Sequence, residues 1–115
     1  MMDYSLCDET VTVYRKTGEK VSRQVVDNAR LIQNISTPTE SYGKSKEKKF
    51  LLIIPGDFPL QPGDRVFAGI GPENPDWAGF VPALVEPLFK IGFVKPCYWD
   101  GEVIHWEAGN RKETL

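Results

Sequence analysis

Apolar residues in this chain come in runs of about five at most, with prolines and glycines standing between the runs. That punctuation suits short strands joined by defined turns, and it leaves no place for a long helix. The clearest stretch is TVTVYRKTGEKVSRQVV, Thr10 to Val26. Val11 and Val13 alternate with Thr10 and Thr12, KTGEK supplies a turn containing Gly18, and Val21 and Val25 resume on the return. This predicts a β-hairpin.

Further strands follow. ARLIQNI, Ala29 to Ile35, reads as a third strand with Leu31, Gln33 and Ile35 on one side. FLLIIP, Phe50 to Pro55, has the length of a central strand buried on both faces, and periodicity alone does not separate that from a buried helical segment. After the turn in PLQPGD, Arg65 to Gly69 places Val66 and Ala68 opposite Arg65, Phe67 and Gly69. ALVEPLFKIGFVKPCYW reads two ways: Ala83 to Lys90 as a helical turn split by Pro87, or, favoured by LFKIGFV, a strand ending near Pro96. Asp100–Gly101 makes a turn, and the strand to Ala108 sends Val103, His105 and Glu107 one way, Ile104 and Trp106 the other. A chain of 115 residues makes one domain. The expected fold is all-β: a small, mostly antiparallel β-barrel over residues 1–115, with long flexible loops.

Two connections stand apart. STPTESYGKSKEKK, residues 36–49, has four lysines and no apolar periodicity, and reads as a flexible loop of a length that often carries function. GIGPENPDWAGFVP holds Trp77 and Phe80 among glycines and prolines that forbid a regular element. These two rings either anchor in a partner's pocket or fold back over an open end of the barrel. Residues 109–115 read as a short tail.

A net charge of −2 argues against a general polyanion-binding surface. Residues 1–55 carry nine Lys/Arg against seven Asp/Glu, and residues 56–110 three against eight, which suggests sided contacts with other proteins. A single-strand-binding barrel would want stacking aromatics beside a basic groove, and Tyr42 with Lys44, Lys46, Lys48 and Lys49 offers that in one loop. The other aromatics lie in segments poor in Lys and Arg.

No catalytic cluster is visible. His105 is the sole histidine, and a couple with Glu107 would serve as a base. No serine or cysteine sits in the strained turn a nucleophile needs, so no enzymatic activity is expected. Cys7 and Cys97 show no metal-ligand spacing with each other or with His105, and the GIG at Gly69–Gly71 opens onto Pro72 rather than a helix. Neither a metal nor another cofactor is expected. The cysteines read as free thiols of a reducing compartment, and MMDYSLCDETV lacks the flank and apolar segment of a secretory signal. No run approaches the length of a membrane span.

DYSLCDETVTVYRKTGE, FLLIIPGDFPLQPGDRVFAGIGPE and YWDGEVIHWEAG together resemble small minor capsid, head–tail connector or head-closure proteins of long-tailed bacteriophages and prophages of Gram-positive bacteria. The PGDRV turn and the HWEAG strand carry most of the likeness. It implies a small barrel assembled as a ring homo-oligomer in the virion neck, put together in the host cytoplasm beside other neck or tail proteins. It implies no catalytic residue. Residues 36–49 would be the loop that reaches the DNA channel, with Lys44, Lys46, Lys48 and Lys49 facing phosphates without reading bases. The alternatives are a single-stranded nucleic-acid binder and a general protein-interaction module.

Overall fold

In the computed structural model, which describes residues 4–33, 49–82 and 84–110, seven strands succeed one another and no helix occurs among the described residues. They are β1 (Glu9–Thr17), β2 (Lys20–Gln33), β3 (Phe50–Pro55), β4 (Arg65–Ala68), β5 (Leu88–Lys90), β6 (Phe93–Trp99) and β7 (Glu102–Gly109). All join one sheet in the order β5-β4-β1-β2-β3-β7-β6, and every neighbouring pair is antiparallel. The sheet curls into a half-barrel, so the all-β, antiparallel expectation holds.

Two hairpins follow from local turn chemistry. β1 and β2 pair down to Thr17↔Lys20, with Gly18 at φ 63° opening a two-residue turn. β6 and β7 meet at Trp99↔Glu102 across Asp100 and Gly101, both at positive φ, as a tight turn of matching twist requires.

The expected third strand at Ala29–Ile35 is instead the second half of β2. The long strand pairs with β1 as far as Ala29, and its ladder slips between Glu9 and Val11. It then pairs with β3 through Arg30–Gln33. A slip of this kind bends a strand and increases its twist, so one strand serves both halves of the curl without a turn. Ile35 lies outside the described residues.

The main core fills the inside of the curl. Val11 and Val13 of β1, Val26, Ala29 and Leu31 of β2, Phe50, Leu52 and Ile54 of β3, Val66 of β4 and Ala108 of β7 meet there with Leu60, Phe89 and Ile91. The Phe50 and Phe89 rings touch across it at 5.0 Å between centroids. β3 is central in the sheet but not buried on both faces: Phe50, Leu52 and Ile54 are buried, while Leu51 and Ile53 on the other side are only half-covered.

A smaller core lies on the outer face of β1, β4 and β5. Tyr14, Phe80 and Leu88 are buried there, with Val21, Phe67, Trp77 and Val85 against them. The connection from β4 to β5 covers this face and is tied down through its carbonyls. Tyr14 donates to Pro72 O at 2.6 Å, Thr12 to Gly69 O at 2.7 Å, and Arg23 to Gly71 O at 2.8 Å. Arg65 donates to the carbonyls of Trp77 and Phe80, and its guanidinium lies 3.7 Å over the Trp77 ring.

LFKIGFV is not one strand. Ile91 and Gly92 break it, leaving β5 and β6 at opposite ends of the sheet. This short link is stitched to both ends: Ile91 N–H donates to Asp64 O at 2.8 Å and Gly92 N–H to Gly109 O at 2.7 Å. β6 continues past Pro96 to Trp99 because β6 is an edge strand, where a residue without an N–H is tolerated. Gly109, expected in the tail, closes β7 and is buried; a Cβ there would stand 2.6 Å from the Phe93 ring.

The PGDRV turn also has a structural role. Asp64 is buried, accepts from Gln61 N–H at 2.9 Å, and takes the Arg15 guanidinium at 2.8 and 3.0 Å. That fork ties the turn before β4 to the neighbouring strand β1, and the hydrogen bond to Asp64 raises the Arg15 pKa.

Candidate functional site

The outer face of β6 and β7 holds a cluster of groups able to do chemistry. Trp106 and Ala108 belong to the core side of β7, so His105 and Glu107, which alternate with them, face away from it. The sheet register sets Cys97 directly across from His105. The Cys97 sulfur, a His105 ring nitrogen and a Glu107 carboxylate oxygen all lie within 4.8 Å of one another.

His105 is held at both nitrogens. Nε2 lies 3.0 Å from Glu107 Oε2, and Nδ1 lies 2.6 Å from the Tyr4 hydroxyl. A carboxylate only accepts, so in the neutral ring Nε2–H donates to Glu107 and Nδ1 accepts from Tyr4. Tyr4 belongs to the segment ahead of β1. It meets the imidazole edge-on at 5.5 Å between centroids, and its hydroxyl also reaches Ile104 O at 3.4 Å. The result is a histidine with 2% exposure whose side chain is fully bonded.

The thiols around it are not activated. Burial pushes the Cys97 pKa up, and the charge of Glu107 and a hydrogen bond to it add to the shift against the lowering effect of Lys95. Burial likewise raises the pKa of Cys7, and that of Tyr4, which Cys97, Cys7 and Glu107 raise further. A nucleophilic cysteine needs the opposite environment, one that favours the thiolate. With both His105 nitrogens turned to other partners, the geometry provides a bonded cluster and not an activated thiol–imidazole couple.

These shifts carry a sign. The folded chain disfavours ionisation of Tyr4, Tyr14, Cys7 and Cys97, so their contribution to stability is whole below the ordinary values of 9.0 for a thiol and 10.0 for a phenol. It is lost as pH rises through and beyond those values. Urea unfolding followed from about pH 8 to 11 is expected to show a falling midpoint above about pH 9. A level midpoint across that range contradicts the assignment.

The residues singled out in the sequence fall differently. Lys44, Lys46 and Lys48 lie outside the described residues; Lys49 is exposed just before β3. The loop expected at residues 36–49 lies, but for Lys49, outside the described residues, and the strands on either side of it meet at Gln33↔Phe50. Phe80 is 4% exposed and packs edge-on against Tyr14 at 4.7 Å between centroids, so it belongs to the chain's own core and is not a free anchor. Trp77 is half-buried beneath Arg65.

The exposed aromatic pair is elsewhere. Tyr98 and Trp99 are 63% and 59% exposed at the tip of the β6–β7 hairpin. Their position directly before the Asp100–Gly101 turn was the available signal, since a two-residue turn carries adjacent residues beyond the reach of the core. Among the described residues there is no helix long and apolar enough to cross a membrane. No protein-family model matches this chain, and neither the curated proteins nor the solved structures yield a match.

Proposed function

We propose that this protein is an architectural subunit of the neck of a long-tailed bacteriophage, one member of a ring at the head–tail junction that acts on no substrate. The observation that carries the reading is the open curl. The sheet ends in β5 on one side and β6 on the other, and neither end strand has a second strand neighbour in the described chain. Edge strands are places where another chain can pair, and a cyclic assembly covers them subunit by subunit. The exposed pair Tyr98 and Trp99 at the end of edge strand β6 has the composition of an interface anchor.

A groove for single-stranded nucleic acid is the poorer fit. The inside of the curl is filled by the main core, so stacked bases would find no concave aromatic platform there.

Deleting the gene from an active phage and imaging the products tests the proposal. DNA-filled heads that leak and lack tails are the expected result. Normal virions would overturn it. So would micromolar binding of the purified protein to single strands that depends on its aromatic side chains, which would put the nucleic-acid binder in its place.

A further inference from the structure

We propose that Cys97 Sγ, His105 Nε2 and a Glu107 carboxylate oxygen form a three-ligand zinc site on the outer face of β6 and β7. A mixed sulfur, imidazole and carboxylate set suits zinc, which takes about 2.3 Å to sulfur and about 2.0–2.2 Å to nitrogen and oxygen. In a tetrahedron those bonds put ligand atoms about 3.3–3.8 Å apart. The Cys97 sulfur, a His105 ring nitrogen and a Glu107 carboxylate oxygen already lie within 4.8 Å of one another, and Nε2 is the nitrogen turned to Glu107, 3.0 Å from Oε2. Side-chain rotations of Cys97 and Glu107 close the remaining gap, because the strand register has already fixed their backbones opposite and beside His105.

The surroundings support the same assignment. A histidine that ligates zinc through one nitrogen presents the other to an oxygen that fixes the ring. Tyr4 stands in that place, 2.6 Å from Nδ1. Zinc displaces the Cys97 thiol proton to solvent, and with the metal on Nε2 the ring proton moves to Nδ1 and is donated to the Tyr4 oxygen. The Tyr4 hydroxyl then turns its own hydrogen to Ile104 O, 3.4 Å away. The hydroxyl serves either tautomer, being both donor and acceptor. Glu107 is 28% exposed at its side chain, which gives the ion a way in and leaves a fourth position open to water. Bound there, zinc would tie hairpin β6–β7 to the segment ahead of β1 through His105 and Tyr4.

The test uses the purified full chain, stripped with a chelator and titrated with zinc against a chromophoric competitor, then with cobalt as a spectroscopic substitute. One zinc per chain with a Kd below about 10 µM is expected, together with a sulfur-to-cobalt charge-transfer band and tetrahedral visible bands. Cys97→Ser should abolish the charge-transfer band and weaken zinc binding at least about tenfold, Tyr4→Phe should weaken it about tenfold, and Cys7→Ser should leave both readouts unchanged. Circular dichroism of each variant checks that it is folded; Cys97→Ser changes one atom and keeps the test valid if His105 variants do not fold. Wild-type binding weaker than about 10 µM, a cobalt spectrum without the sulfur band, or a folded Cys97→Ser protein with undiminished affinity overturns the proposal. None of these readouts depends on ring assembly.

Discussion

Replacing Tyr14 with alanine is expected to cost about 4 kcal/mol of stability, a large part of the roughly 5–15 kcal/mol that holds a domain of this size. Tyr14 is fully buried on the outer face of β1, and its ring is the floor on which the β4–β5 connection rests. Removing an aromatic ring from such a site leaves a cavity that the stiff sheet beneath cannot fill. Phe80 loses its edge-on partner, and the Pro72 carbonyl loses its bond from the hydroxyl. Gly71 lies so close to the Tyr14 hydroxyl that a Cβ there has no room, which shows how tightly the connection is seated. Urea unfolding measures the loss. Tyr14→Phe separates its parts: it removes only the hydroxyl, and Arg23 still donates to Pro72 O at 3.1 Å, so about 1 kcal/mol is expected. A loss below about 1 kcal/mol for the alanine variant would show that the outer cluster does not hold the connection.

Asp64→Ala should destabilise the chain by about 3 kcal/mol, chiefly through what it leaves behind. The carboxylate is 2% exposed and serves two partners, Arg15 and the Gln61 N–H. Without it the turn before β4 loses its cap, and the guanidinium keeps only its bond to Pro59 O. Arg15 is 30% exposed, so water relieves part of the stranded charge and holds the cost at the lower end of the range for buried pairs. A double-mutant cycle with Arg15→Ala separates pair from cap: the double variant should lose less than the sum of the single losses. Strict additivity would mean that Asp64 acts through the turn alone.

What the sequence made legible was local. Gly18 and Asp100–Gly101 sit in the two tightest turns, where the allowed backbone angles dictate the residue types, and the hairpins followed from them. The path of β2 was not legible, because no alternation in the sequence marks where one partner strand gives way to the next, whereas the slip in the ladder carries one strand from β1 to β3. The burial of Phe80 was hidden for a similar reason. Nothing near it alternates, and what holds it is Arg65, a residue of β4 that captures two carbonyls of the distant connection. The Cys97–His105 pair shows the limit most clearly. Counting back from the turn, Trp99↔Glu102 and Tyr98↔Val103 place Cys97 opposite Ile104, and only the irregularity after Cys97 moves it to His105. A one-residue slip in one ladder thus creates the cluster, and no spacing in the sequence announces it.

The link at Ile91 and Gly92 has a consequence for how the chain folds. Joining the two halves of the sheet requires two pairings between distant segments, β1 with β4 and β3 with β7. Such pairings are slow because the intervening chain must be closed into a loop before any bond compensates its lost entropy. Here β6 and β7 form a hairpin, β4 and β5 pair across the connection seated on Tyr14, and β5 and β6 are separated only by Ile91 and Gly92. Once either distant pairing forms, this link carries the other pair of strands close to register, and the second loop to be closed is short. The second closure is therefore expected to add little to the barrier set by the first, and refolding from urea as a single exponential is the measurement that checks it.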